Sequence, residues 1–130
     1  MAGFNELECK IYVDANCAKG ELATRIAELF SAHAEGTTIE MQCGEVDVQR
    51  NDEFDETARL EFPDGFLSFG LLVELYTDDP ATPRCAGAAA RILEYLWAQD
   101  FPAVAACDYE DQLPNGGGYK STAVPWPAVP

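Results

Sequence analysis

Phe66-Leu-Ser-Phe-Gly-Leu-Leu-Val-Glu-Leu-Tyr76 is the strongest strand signal in this sequence. The stretch is apolar at both odd and even positions over much of its length, which is typical of a central strand covered on one face and partly on the other. Thr77-Asp-Asp-Pro80 follows it and ends the run, because proline and the short polar residues favour turns. The sequence therefore predicts that residues 66–76 form a central strand of a sheet.

Three further strands are predicted around this one. Leu7–Val13 alternates between apolar and polar residues, which indicates a strand with one buried face. Thr37–Arg50 also reads as extended, but its apolar alternation changes phase at Gly44. Either a β-bulge keeps one long strand there or a tight turn makes two short strands. We favour the bulge, because Cys43-Gly-Glu45 has poor chemistry for a two-residue hairpin. Ala103–Cys107 is the last strand.

Two amphipathic helices complete the pattern, one over about 19–34 with Gly36 as its stop, and one from a cap at Thr82 to about Gln99. The order strand, helix, strand, strand, helix, strand predicts an α+β, ferredoxin-like two-layer sandwich. We expect a four-stranded antiparallel sheet with both helices on one face and the other face open. Its outward positions would include Glu8, Lys10, Tyr12, Glu40 and Gln42.

The composition changes after residue 112. Residues 1–112 are expected to form one α+β domain, and residues 113–130 a tail rich in glycine and proline that cannot form a regular element. Trp126 stands between two prolines, and we expect it to pack the tail onto the domain.

The charge balance decides which partners are plausible. The chain of 130 residues carries 23 Asp and Glu against 8 Lys and Arg, a formal net charge of −15. Such a field repels phosphate backbones and anionic lipids and attracts basic surfaces. The sequence therefore predicts a basic protein partner, and neither a nucleic acid nor a membrane. It does not determine the oligomeric state.

The cysteines favour a reduced protein without a metal. Five are present, none in a C-x-x-C pair, and His33 is the one histidine. That spacing does not suit zinc, so we expect reduced, buried thiols, with Cys17 the most exposed. No apolar run long enough to span a membrane and no secretory signal is apparent, which predicts a cytoplasmic protein.

Two dense acidic clusters are candidate partner-binding sites. The first is Asp52, Glu53, Asp55 and Glu56, which lacks the spacing and the central glycine of a calcium loop. The second is Asp108, Tyr109, Glu110 and Asp111, in which Tyr109 would be an apolar anchor among carboxylates that face lysines and arginines.

The sequence contains no catalytic motif. It has no phosphate-binding glycine loop and no G-x-S-x-G elbow. Its single histidine leaves few possible combinations for a Ser-His-Asp triad. We therefore predict a protein that is not an enzyme, with no cofactor and no catalytic residues.

The chain resembles the small acidic immunity proteins that neutralise bacterial contact-dependent or polymorphic toxins. The resemblance rests on size, a single domain, strong acidity and strands with intervening helices. The stretches Ala103-Val-Ala-Ala-Cys-Asp-Tyr-Glu-Asp111 and Val124-Pro-Trp-Pro127 resemble parts of a bacterial family. This resemblance implies that the protein forms a tight complex with a cationic, nuclease-like toxin domain. The protein would inhibit the toxin by covering its active site or an adjacent surface. The family is diverse, so no residue roles are carried over.

Other functions stay open at this point. A small-ligand or regulatory domain would use the open sheet face or a groove beside it. An enzyme would need a cleft with two carboxyl groups whose pKa values are shifted in opposite directions. A DNA mimic, with carboxylates spaced like phosphates, would be a variant of the inhibitor.

Overall fold

The structure is a computed structural model that describes residues 6–77 and 85–127. Within these ranges the chain forms six strands and two α-helices, in the order β1 (Glu6–Val13), α1 (Lys19–Leu29), β2 (Ala34–Glu35), β3 (Thr38–Glu40), β4 (Glu45–Arg50), β5 (Leu71–Thr77), α2 (Ala86–Ala98) and β6 (Ala103–Cys107). Short 3₁₀ turns lie at Ala58–Leu60, Asp64–Ser68 and Glu110–Gln112. Residues 114–118 form a turn in which positions 115 to 118 have positive φ.

The strands form one antiparallel sheet in the order β2-β3-β4-β5-β1-β6. The predicted α+β class is confirmed. The four-stranded ferredoxin-like layout is wrong, because the described sheet has six strands. The two extra strands arise between α1 and β5. β2 begins at the last residue of the predicted helix over 19–34, and the single strand predicted over 37–50 is divided into β3 and β4.

Gly44 is the point at which the predicted long strand divides. The Met41 N–H donates to the Gly44 carbonyl at 2.8 Å, and the Gly44 N–H donates back to Met41 at 3.2 Å. A Cβ at position 44 would collide with the carbonyl oxygen of Tyr76, so the turn can lie against β5 only with glycine there. The tight turn that makes two strands is therefore correct, and the bulge is wrong.

Ser31 ends α1 earlier than the periodicity predicts. Its φ is 53°, a left-handed conformation, and the Ala32 N–H donates to the Ala27 carbonyl at 2.8 Å in a Schellman-type ending. The predicted helix over 19–34 therefore stops at Leu29, which frees Ala34–Glu35 to pair with β3. Gly36 is not the stop.

The second helix ends in the same way. Asp100 has φ 66°, and the Phe101 N–H donates to the Leu96 carbonyl at 2.9 Å. The expected cap at Thr82 lies outside the described residues.

Both helices pack on one face of the sheet, here called the helix face. Leu22 and Ile26 of α1 and Ile92 and Leu96 of α2 are fully buried there. The strands meet them with alternate residues, since period-two side chains point to one face. The strand residues in this core include Cys9, Ile11, Val13, Val46, Val48, Val73 and Leu75.

The opposite face of the sheet, here called the outer face, is covered at one end. The predicted strand at 66–76 begins only at Leu71, and Phe66 and Phe69 belong to a turn that folds over the sheet. The rings of Phe66 and Tyr12 meet edge to face, with centroids 5.2 Å apart. Trp126 packs beside Phe69 at 5.4 Å and donates its Nε1–H to the Leu60 carbonyl at 3.1 Å. The expected fully open face is therefore only partly open.

Cys43 and Cys85 form a disulfide, with Cα atoms 5.2 Å apart. The prediction that all five cysteines are reduced is wrong for this pair. The bridge joins the turn between β3 and β4 to the start of α2. Its two residues are separated by 42 positions, so no spacing motif in the sequence could indicate it.

Candidate functional site

The uncovered part of the outer face lies over β2, β3, β4 and β5. Cross-strand pairing lines up Glu35, Thr38, Asp47, Glu74 and Lys10 in one row. A second row, one step along the strands, contains Glu40, Glu45 and Tyr76. Directly opposed residues have Cβ atoms about 5 Å apart, so the side chains of each row are neighbours.

This surface gathers negative charge on rigid strands. We call its five carboxylates the acidic face: Glu35, Glu40, Glu45, Asp47 and Glu74. In the part of the chain that the structure describes, no Lys or Arg nitrogen lies within 4.0 Å of any of them. Lys10 shares the face opposite Glu74, and its Nζ lies 5.9 Å from the centroid of the Tyr12 ring. The acidic face is thus largely uncompensated by the Lys and Arg residues that the structure describes.

Hydrogen bonds fix the centre of the acidic face. The hydroxyl groups of Thr37 and Thr38 donate to Asp47 Oδ1 at 3.2 and 3.1 Å, and the Gln49 amide donates to Oδ2 at 2.7 Å. The Tyr76 hydroxyl donates to Glu74 Oε1 at 3.1 Å. Burial, then the charge of Glu74 and its hydrogen bond, raise the pKa of Tyr76. The phenol therefore stays neutral and remains a donor.

The first predicted cluster, at 52–56, lies at one end of the sheet. Asp52, Glu53, Asp55 and Glu56 are all exposed. Asp55 accepts hydrogen bonds from the backbone N–H groups of Thr57 and Ala58 at 2.9 and 2.8 Å, which lower its pKa. Asp55 therefore caps a turn, and Asp52 and Glu53 remain available to a partner.

Arg59 and Asn51 hold this first cluster to the body of the domain. Arg59 binds Asp14 at 2.7 Å and reaches Glu56 at 3.7 Å. Asn51 is buried and donates to the carbonyls of Leu67 and Phe69 at 2.9 and 2.7 Å. The loop is thus fixed by side chains that the sequence reading did not single out.

The second predicted cluster, at 108–111, is organised differently from the prediction. Tyr109 is 3% exposed, and its hydroxyl donates to Glu8 Oε2 at 2.8 Å. The expectation that Tyr109 is a surface anchor is wrong in this conformation, because the ring belongs to the core. Glu110 accepts a hydrogen bond from the Cys107 N–H at 2.9 Å. Asp108 and Asp111 are exposed, and their role in partner binding stays a prediction.

The structure does not bring the two clusters together. The first contacts Asp14, just beyond the end of β1, through Arg59, and the second contacts Glu8 near the beginning of β1. Six residues of strand separate these contacts by about 20 Å. The two rows of the acidic face are level with Lys10 and with Leu7 of β1.

Sequence reasoning named Glu40 as an outward position and missed the other members of the acidic face. The signal was present in β4, where Glu45, Asp47 and Gln49 alternate with buried Val46 and Val48. The pairing of β4 with β3 and β5 could not be read from that alternation. Of the other expected outward residues, Glu8 accepts hydrogen bonds from Tyr109 and from the Cys85 N–H.

A groove lies between the helices and the β3–β4 turn. Its volume is about 650 Å³. The Arg91 guanidinium stacks on the Phe30 ring at 4.5 Å and donates to the Leu29 carbonyl at 2.9 Å, which closes one wall. The remaining lining is Ser31, Ala32, Glu40, Met41, Gln42, Cys43 and Ala88.

The carboxyl groups with shifted pKa values have structural causes. Burial raises the pKa of Asp14, and the neighbouring Arg59 guanidinium opposes that effect. The lowered pKa of Asp55 comes from its turn-capping hydrogen bonds. Both shifts therefore follow from roles in the fold.

Across residues 6–77 and 85–127, no group of three metal-ligating side chains is close enough to hold an ion.

Neither α1 nor α2 is long and apolar enough to cross a membrane, and no other described helix is either. Comparison of the chain with protein-family models, curated proteins and solved structures finds no match.

Proposed function

We propose that this protein is an immunity-type inhibitor that binds a basic toxin domain through its acidic face. The observation that supports the proposal is a set of five carboxylates on one surface of a sheet without a cation of the described chain within 4.0 Å. The formal charge of −15 extends this local field over the whole molecule. A basic nuclease-like domain is the partner class that such a surface fits.

The mechanism follows from electrostatics. A negative surface attracts and orients a basic domain before contact, which raises the association rate. Strands hold the carboxylates in fixed rows, so little side-chain and backbone freedom is lost on binding. Covering the cationic cleft of a nuclease would block access of its phosphate substrate. Tyr76 and Leu72, which lie half-buried on the same face, would supply apolar contact.

The test compares two variants with the same change in charge. The first, Glu45→Gln with Glu74→Gln, alters the acidic face. The control, Glu28→Gln with Glu94→Gln, alters exposed positions on the outer sides of α1 and α2. Each variant and the wild type are immobilised and exposed to a lysate of the source cell, and basic proteins released by salt are identified.

A basic domain captured by the wild type and the control, but at least ten-fold less by the acidic-face variant, is the expected result. Co-expression then decides the immunity function, because the wild type should restore growth to cells that produce the captured domain. Equal capture by both variants would contradict the acidic face as the binding site. Capture without restored growth would contradict inhibition.

A second function is favoured by the 650 Å³ groove beside α2, which is within the size range of small-molecule sites. The groove could hold a small ligand whose apolar part lies against Phe30 and Met41. Filling it with Ala88→Trp would abolish a ligand-induced rise in melting temperature. The same substitution should leave capture of a basic domain unchanged.

The proposed setting is the bacterial cytoplasm, where toxin and immunity protein would meet. The Cys43–Cys85 disulfide weighs against this setting, because structural disulfides are typical of oxidising compartments. Counting free thiols in protein that is alkylated inside the source cell decides the matter. A reduced, alkylated Cys43–Cys85 pair would support the cytoplasmic setting, and a bridged pair, as in the structure, would contradict it.

A further inference from the structure

Cys9 and Cys107 are directly opposite each other on neighbouring antiparallel strands. The pairing of β1 with β6 places Cys9 against Cys107, Ile11 against Ala105 and Val13 against Ala103. Opposed residues of an antiparallel pair point to the same face, with Cα atoms about 4.5 to 5.5 Å apart. A disulfide requires Cα atoms about 4.4 to 6.8 Å apart. The backbone already has the spacing that a disulfide needs.

The two thiols also influence each other. The neighbouring Cys107 side chain raises the pKa of Cys9, and the neighbouring Cys9 side chain lowers the pKa of Cys107. Cys9 is 1% exposed, whereas Cys107 is only half-buried. Cys107 is thus the thiol that a reagent in solution can reach, and Cys9 is held in contact behind it.

The surroundings of the pair are fixed from both sides. Glu8, the residue before Cys9, accepts hydrogen bonds from the Tyr109 hydroxyl and from the Cys85 N–H, each at 2.8 Å. Glu110 holds the Cys107 N–H at 2.9 Å. A single hydrogen bond, from the Cys85 N–H to Glu8, therefore links the Cys43–Cys85 disulfide to the residue that precedes Cys9.

From this geometry we infer that Cys9 and Cys107 are a second disulfide site, closed by a small-molecule disulfide such as oxidised glutathione. The Cys107 thiolate attacks one glutathione sulfur, and the S–S bond of glutathione breaks to release one glutathione thiolate. The released glutathione thiolate takes the proton of Cys9, and the Cys9 sulfur attacks the Cys107 sulfur and displaces the second glutathione as a thiolate, which solvent protonates. Two protein thiols are oxidised and one glutathione disulfide is reduced to two thiols.

The test counts free thiols before and after native protein, with Cys43 and Cys85 bridged, is equilibrated with oxidised glutathione. The protein is then unfolded without reductant and alkylated. We expect the number of alkylated cysteines to fall from three to one, and peptide mapping to find a Cys9–Cys107 link with Cys17 alkylated. The melting temperature should rise by roughly 10 °C, because the new bridge restricts the unfolded chain.

Two variants make the result specific. Cys17→Ala should still form the link and leave no alkylated cysteine. Cys107→Ala should leave Cys9 and Cys17 alkylated and show no rise in melting temperature. Three alkylated cysteines in treated wild-type protein, a stable glutathione adduct on Cys107, or a link to Cys17 would each overturn the inference. The result does not depend on whether the acidic face binds a toxin.

Discussion

Replacing Glu45 by glutamine is expected to stabilise the protein. Glu45 lies directly opposite Glu40 on β3, and Asp47 is two residues along the same face. Glu74 is diagonal to it on β5, because Glu45 pairs with Tyr76. Three carboxylates therefore surround this side chain, and no described cation is within 4.0 Å of it.

The magnitude follows from Coulomb's law. Two unit charges about 6 Å apart in water repel by about 0.7 kcal/mol, and screening at 0.15 M salt roughly halves this value. Two further carboxylates about 7 to 8 Å away add about 0.5 kcal/mol each, so the total relief is about 1.5 kcal/mol at low salt, where screening is weak. For a domain of 130 residues, that free energy corresponds to a rise of roughly 5 to 6 °C in melting temperature.

The assay is thermal unfolding of wild type and Glu45→Gln at 10 mM and 1 M sodium chloride. The variant should melt higher at low salt, and the difference should nearly vanish at high salt, where the Debye length is about 3 Å. Glu94→Gln is the matched control, because Glu94 follows Arg91 by three positions on α2 and should gain nothing. A lower melting temperature for Glu45→Gln, or a salt-independent difference, would refute the repulsion argument.

Two more predictions concern the helix ends and the buried phenol. Ser31→Gly and Asp100→Gly should each raise the free energy of unfolding by about 0.5 to 1 kcal/mol in urea titrations, because both positions have positive φ. Gly36→Ala, at φ 64°, should instead lower the free energy of unfolding. Destabilisation by either glycine substitution would contradict the reasoning. Burial raises the pKa of Tyr109 above the ordinary 10.0, so the folded state keeps a proton that the unfolded state releases, and stability should fall as the pH rises above about 10. Unfolding measured from pH 8 to 11 should show that fall in the wild type and less of it in Tyr109→Phe; equal slopes would count against it.

The sequence predicts the buried faces of the helices and of β1 well, whereas α1 ends at Leu29 and not at 34. Leu22, Ile26 and Leu29 repeat at helical spacing, and Cys9, Ile11 and Val13 alternate, so each pattern reports its own buried face. These periodic patterns are local signals. They indicate that one face of an element is buried, and they do not indicate which other element covers that face.

The errors arise where a non-local contact decides the local structure. Ser31 adopts a left-handed conformation that usually calls for glycine, so no residue type marked the end of α1. Phe66 and Phe69 are as apolar as a buried strand, but they are buried by folding over the outer face. Periodicity cannot distinguish a phenylalanine that is buried within a strand from one that is buried in a turn folded over the sheet.

The candidate site was missed for a related reason. Dense acidic runs at 52–56 and 108–111 are visible in the sequence, whereas the acidic face is assembled from single carboxylates on β2, β3, β4 and β5. Only the pairing of the strands shows that these residues are neighbours. A charge cluster made by a sheet is invisible until the order of its strands is known.

The carboxylates of this chain fall into two groups that differ in what they do for the fold. Asp14 pairs with Arg59, Asp55 caps a turn and Glu8 accepts two hydrogen bonds, so each stabilises a local structure. Glu40 and Glu45 have no such described role and repel each other across a strand pair. Repulsion that no described cation offsets is the condition under which an incoming cationic surface gains most, because binding relieves it. Under the proposed function, this is the physical reason for a basic partner to dock on the acidic face, and binding at the two acidic runs stays a separate prediction.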